Sequence, residues 1–352
     1  MRNAERHHAR LVIAFRLLRH TFRPALFLFI VATPFLDVSG QPVAQHGALG
    51  PSFDDPQQFG SFDPIFGPTP VTISDFIDSA LLQNRLRFRV DAAYNNRLPD
   101  RAEFFYAQCG CLGGNAPGPP LAETSVDYQD FRVYGETTWS DRYAAFFEAP
   151  LRFLNPELNQ NTTGLGDVNV GIKYAMRACH GQYLTAQLRI YLPLGDADRG
   201  LGTDHFTFEP GLLLRQSLSD RLTVEGEVHY WIPWSSQTST NGTQFYGEIL
   251  HYGLGLGYDL HQDCYCSKCG ECHGQASKRL TSVVEVVGWS IMNGNVSNSN
   301  LVVQDADGTI GNIMFGLRWS APGDSVYVGY GHSFVGDAWY EHIVRLEYEY
   351  RF

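Results

Sequence analysis

The chain has 352 residues, enough for one large domain or two ordinary ones. It is 44% hydrophobic and 13% aromatic, with 35 Gly and a mean hydropathy of -0.20. No run of roughly 20 apolar residues occurs, which excludes a bundle of transmembrane helices. A formal net charge of -11 makes the chain a poor candidate for nucleic-acid binding.

In chain order, Arg2, Arg6, Arg10, Arg16, Arg19 and Arg23 precede a short apolar stretch, 25–36 (ALFLFIVATPFL), and then Val38-Ser39-Gly40. A basic region, an apolar core and small residues predict a secretory signal over 1–40, cleaved before Gln41. The other reading, a membrane anchor, fails because the apolar run stops at Leu36. Removing 1–40 takes away six Arg and two acids, leaving a mature charge of about -15. Residues 41–84 read as a Pro/Gly/Phe-rich segment on the periplasmic side, and 72–84 (TISDFIDSALLQN) carries a short-helix pattern capped by Thr72 or Ser74.

From Arg85 the pattern changes to period two. Arg85, Arg87, Arg89 and Asp91 alternate with Leu86, Phe88, Val90 and Ala92. The same alternation recurs over 126–138, 143–154, 167–177, 182–194, 206–218, 222–234, 244–259, 280–290, 309–319, 325–334 and 340–352. Each segment has about ten residues, the length a tilted strand needs to cross a bilayer. The predicted fold class is all-β, a transmembrane antiparallel up-and-down β-barrel of about 12 strands over residues 85–352. Long and short connectors alternate, as such barrels require, with one exception at 260–279. A soluble β-sandwich shares the period but turns its apolar face inward. The signal segment, the loop alternation and the terminal Phe352 favour the barrel.

In that register the charged face points inward. Arg85, Arg87, Arg89, Arg132, Arg189, Glu225, Glu227, Arg345, Glu347 and Glu349 are the expected pore-lining residues. Arg85, Arg87 and Arg89 facing Glu347 and Glu349 across the closing seam are the constriction candidates. Tyr94, Trp139, Tyr174, Tyr230, Trp234, Tyr258, Trp319 and Tyr340 fall at strand ends, where interfacial aromatics gather. Gly253, Gly255 and Gly257 share the inner face, where glycine leaves room in a narrow lumen or relieves curvature.

The stretch Gly164-Leu165-Gly166-Asp167-Val168-Asn169-Val170-Gly171-Ile172-Lys173-Tyr174 resembles the GLGD…G.KY signature of an outer-membrane β-barrel family named for the phenol-degradation meta pathway. The resemblance implies a porin-like transporter of the bacterial outer membrane that takes up or releases small solutes, aromatic or hydrophobic ones among them. Its partners would be the lipid bilayer, the solute and, as in similar proteins, an assembly machinery that reads Phe352. A non-conducting surface protein and a lipid-modifying outer-membrane enzyme are the alternatives. For the enzyme, His332-Ser333 is the nearest approach to a nucleophile and base, but adjacent strand residues point to opposite faces.

Seven cysteines leave three readings open. Disulfides suit an oxidising compartment. Cys264, Cys266, Cys269 and Cys272 could hold a metal as soft ligands. Cys269, Cys272 and His273 form a CxxCH haem-attachment pattern. No cofactor is required by any other feature of the chain.

Overall fold

A closed ring of antiparallel strands follows from this alternation in a computed structural model, which describes residues 71–99, 105–107, 109–112, 116–179, 181–234, 247–264, 276–292, 295–296, 304–305, 308–336 and 340–352. The expected signal segment and the Cys266–His273 cluster lie outside them. The barrel strands are β1 (Arg85–Asn96), β2 (Val126–Ser140), β3 (Tyr143–Pro156), β4 (Val168–Cys179), β5 (Gln182–Leu192) and β6 (Phe206–Ser217). They continue with β7 (Leu222–Trp234), β8 (Ile249–Cys264), β9 (Ala276–Ile291), β10 (Gly308–Ser320), β11 (Asp324–Val335) and β12 (His342–Arg351). Each pairs with the next in sequence, and β1 pairs with β12 to close the ring. A short strand, Thr162–Leu165, runs along the far half of β3.

The long connector expected at 260–279 is shorter than its sequence suggests. β8 and β9 remain paired as far as Ala276 opposite Cys264, with register shifts between Ala276 and Lys278 and between Leu280 and Thr281. The hairpin therefore extends beyond the neighbouring short turns, and the period-two signal is lost where its register slips.

Which face points out decides between barrel and sandwich. Phe131, Leu151, Ile172, Leu254, Phe315, Leu317 and Val328 are exposed on the outer surface, whereas Arg85, Arg318, Lys173, Glu209, Glu225 and Glu285 are buried inside. Leaving a continuous aliphatic belt in water would forfeit about 25 cal/mol per Å² of apolar surface. Hydrocarbon around the ring removes that cost, so the fold is a membrane-spanning barrel. Trp139, Tyr143 and Tyr174 stack in succession at the short-turn end, with ring centroids 5.9 and 5.0 Å apart. Tyr340 departs from the expected aromatic girdle. It is buried, and it packs in the apolar cluster that fills the other end of the lumen.

Candidate functional site

All ten residues expected to line a pore turn into the barrel, but they meet protein there. At the seam, Arg87 stands opposite Glu349 and Arg89 opposite Glu347 in the strand register. The ion pairs run diagonally, Arg85 to Glu349 at 3.3 Å and Arg87 to Glu347 at 3.6 Å. Arg89 instead reaches Glu148 on β3 at 2.6 Å. Arg132 bridges Glu148 (3.0 Å) and Asp130 (2.7 Å). The space left among Arg87, Arg89, Arg132, Tyr134, Glu148 and Glu347 admits no water-sized opening.

Residues 71–84 occupy the lower lumen. The expected helix is absent: the segment is irregular, and Ser74, Asp75, Ile77, Ser79, Ala80 and Leu81 are all buried. It forms a loop that leaves the short-turn end, where Asn84 joins β1, and whose base is held by Thr72 Oγ1 donating to Ser79 Oγ at 2.9 Å. A helix would satisfy its amides internally. Here the wall satisfies them. The Ser74 amide donates to Glu225 (2.9 Å), the Asp75 and Phe76 amides to Glu285 (3.0 and 2.9 Å), the Asp78 amide to Glu227 (2.8 Å) and the Gln83 amide to Glu136 (2.9 Å).

The loop carbonyls accept from the wall in turn. Arg318 donates to the carbonyls of Ile73 and Ser74 at 3.1 and 3.2 Å, Arg345 to Asp75 at 2.8 Å, and Lys173 to Ser79 at 3.0 Å. The Arg345 guanidinium also forks onto Asp91 (2.6 and 2.8 Å) and lies 3.6 Å from the Phe76 ring centroid. Buried charges of this kind are tolerable only when fully paired. Arg85, Arg189, Glu225, Glu227 and Arg345, half of the residues expected to line a pore, thus hold an inserted loop.

The three glycines on β8 explain how the loop fits. A Cβ added at Gly253 would lie 2.9 Å from Ile77 Cγ1, at Gly255 2.3 Å from Ser74 Oγ, and at Gly257 2.6 Å from Ile73 Cδ1. They make room in the lumen, one of the two roles expected for them.

The end bearing the long loops is closed differently. Phe105 and Tyr106 of the first long loop fold inward with Leu201 and pack on Tyr128, Leu154, Trp289, Met314 and Ile343. Arg152 lies 3.9 Å from the Phe105 ring centroid and donates to the Leu201 carbonyl at 3.1 Å. Asp167, the acid of the GLGD motif, accepts from the amides of Gly195 (3.0 Å) and Thr203 (2.8 Å) and so fixes loop 193–205. Replacing Asp167 with Ala strands those donors at about 1–3 kcal/mol. Faster amide exchange confined to 193–205 is the expected result.

In the same loop, burial pushes the His205 imidazole down to about 4, and Nδ1 lies 2.9 Å from the Thr203 carbonyl, which it bonds as a neutral ring. A depressed folded value means that this contribution is complete above the unfolded value of about 6.5 and is lost as pH falls toward 4. Limited proteolysis of this loop should therefore accelerate between those values, and a His205→Gln variant should not show the acceleration.

Two further sequence candidates resolve differently. Cys109 and Cys111 form a disulfide with each other, and Cys179 is free and partly exposed. His332 is exposed, and its Nδ1 bonds the Glu341 carbonyl at 2.9 Å, which also accepts from the Ser333 amide at 3.3 Å. Sequence reasoning missed the buried Glu123, which accepts from the amides of Glu157, Leu158 and Asn159. Nothing local marks it, because its partners lie more than thirty positions away.

Residues 120–262 match the family described as "Putative MetA-pathway of phenol degradation". That stretch includes Gly164–Tyr174 and bears out the resemblance read there. No curated protein matches the chain. Among solved structures, an outer membrane channel from Pseudomonas putida F1 is 13% identical, over 80% of this chain and 100% of that one, with a TM-score of 0.49. The NanC porin is 12% identical over 75% and 100% (TM-score 0.44), and the KdgM porin in complex with oligogalacturonate 10% over 76% and 99% (TM-score 0.39). Likenesses of that strength carry no argument about what this barrel does.

Proposed function

We propose that this chain is a channel of the bacterial outer membrane, closed in this structure by residues 71–84 and, at the long-loop end, by Phe105, Tyr106 and Leu201, which passes small solutes when both leave the lumen. The observation that carries the reading is how the 71–84 loop is fastened. It is held by wall side chains and pairs with no strand, so it can leave without breaking a ladder of the barrel. Water can replace each of those bonds.

The closed form dominates at rest. Burial of Ile73, Ile77 and Leu81 contributes about 1.5–3 kcal/mol each, and a gap above roughly 5 kcal/mol leaves the open state a rare one. With the loop out, Arg85, Arg87, Arg345, Glu225, Glu347 and Glu349 line a passage whose cations and carboxylates nearly balance. Size, more than charge sign, would then select the solute.

Planar-bilayer recording on the full chain and on a variant lacking residues 71–83 tests this. The full chain should open rarely, and the variant should open more often, with its remaining closures set by the Phe105, Tyr106 and Leu201 cluster. Liposome swelling with solutes of graded size and charge then sets the cut-off. A folded deletion variant with no channel events would favour a non-conducting surface barrel, the reading that the filled lumen itself suggests. Turnover of phospholipid or lipopolysaccharide in detergent would favour an enzyme.

The chain's end supports the assembly role expected for Phe352. Its side chain is exposed to the surroundings while its amide bonds the Asn84 carbonyl at 3.1 Å. Deleting Phe352 should lower the yield of heat-modifiable barrel in the outer membrane. An unchanged yield counts against recognition of that residue.

A further inference from the structure

One cluster on the lumen wall is only partly accounted for by the grip on the inserted loop, in which Glu227 alone of its wall residues takes part. His229 on β7 and His251 on β8 are cross-strand partners, with ring centroids 5.5 Å apart. Glu209 on β6 and Glu227 on β7 flank them, and Asp78 reaches in from the apex of the loop. The side chains of His229 and Glu209 have no exposure, Glu227 has 1% and His251 has 12%. Gly211 leaves the space for His229: a Cβ there would lie 2.1 Å from Nδ1.

His229 Nε2 bonds Glu227 Oε2 at 3.2 Å, but other polar atoms of this cluster converge without bonding one another. His229 Nδ1 lies 3.0 Å from Glu209 Oε1, and His251 Nε2 lies 3.3 Å from Glu227 Oε1. Yet His229 Nδ1, both ring nitrogens of His251, and Glu227 Oε1 are buried with no hydrogen bond. Such atoms ordinarily cost about 1–3 kcal/mol each when left alone. Two donors each about 2.0–2.1 Å from a tetrahedral ion stand roughly 3.3 Å apart, so close, poorly aligned N···O pairs are what a shared ion demands.

Charge points the same way. Asp78, Glu209 and Glu227 face one guanidinium, Arg189, which bonds Asp78 at 2.5 Å and Glu209 at 3.3 Å. With neutral imidazoles the cluster is left two negative charges in excess. The ligand atoms of Glu209, His229 and His251 all lie within 4.8 Å of one another, as do those of Asp78, Glu227 and His229.

We propose that Glu209, His229 and His251, with Glu227 beside them, form a site for a divalent transition-metal ion with a preference for nitrogen and oxygen donors, such as zinc. Two imidazoles with carboxylates suit such an ion, whereas calcium or magnesium would call for oxygen donors alone. Asp78 adjoins the site, so the bound ion also ties the inserted loop to the wall. The assignment does not depend on whether the barrel conducts.

The test uses untagged full-length protein in detergent, stripped with a chelator, with its cysteines alkylated so that the 264–272 cluster cannot contribute. After dialysis against zinc chloride, about one ion per chain should be retained. The His229→Gln/His251→Gln variant should bind it roughly tenfold or more weakly, with its barrel checked by heat-modifiable migration. Should that variant not fold, copper(II) loaded into the wild-type protein serves instead. Its resonance spectrum should show nitrogen coupling, and it should quench Trp289, whose ring stacks on His251 at 5.1 Å. An alkylated wild type that retains no zinc, zinc retention equal in the double variant, or copper bound without nitrogen coupling would each overturn the proposal.

Discussion

Gly255→Leu should unseat the inserted loop and raise the frequency of channel openings by about ten- to a hundredfold. The strand backbone accepts the new side chain, since Gly255 is not among the glycines with positive φ. The space does not accept it. The new Cβ would meet Ser74 Oγ at 2.3 Å, Ile77 Cδ1 at 3.2 Å and Glu285 Cγ at 3.4 Å. Overpacking a filled interior costs about 1–3 kcal/mol, and every 1.4 kcal/mol is about tenfold in an equilibrium constant. The wall is held by strand ladders on both sides of β8, whereas the loop is held by single bonds, so the loop gives way. Single-channel recording reads the effect directly, with Leu256→Val on the lipid-facing side as the control. A folded Gly255→Leu barrel that opens no more often than the wild type would show that 71–84 is a fixed part of the wall.

Arg318→Met should weaken the whole barrel by about 3–5 kcal/mol, the usual cost of leaving a buried charge without its partner. The side chain is only 1% exposed, and it contacts Asp75 (3.0 Å), Glu347 (3.4 Å), the carbonyls of Ile73 and Ser74, and Ser325 Oγ (3.1 Å). Met fills much of the volume and restores none of the five bonds. The urea midpoint for loss of the heat-modifiable band should fall. Asp75→Asn added to Arg318→Met should recover part of the loss by removing a carboxylate left with Arg345 (3.4 Å) as its one cationic partner, and the coupling between the two sites should exceed about 0.5 kcal/mol. Additive effects, or an Arg318→Met barrel of full stability, would mean that Arg318 and Asp75 do not share one network.

The sequence by itself determined the barrel's strand number and the seam between β1 and β12, while the structure decided which face of each strand points outward. That information is local. Period two is written residue by residue, and in lipid every apolar side chain has only one face on which to stand. That Arg85, Arg87 and Arg89 face Glu347 and Glu349 across the seam, and that Leu254 and Leu256 share the opposite face, could therefore be read without coordinates. The filling of the barrel was decided only by the tertiary structure. The TISDFIDSALLQN stretch looks helical because helix propensity counts neighbours, while its amides are satisfied by Glu225, Glu227 and Glu285, about 150 to 210 positions away. The GLGLG run on β8 carries the matching signal, an inner face cleared for something to lie against, but it cannot say what. The same holds for Glu209, His229 and His251, which three successive strands bring together. Alternation places each on the inner face, and only the register of the three paired strands sets their donor atoms within reach of one ion.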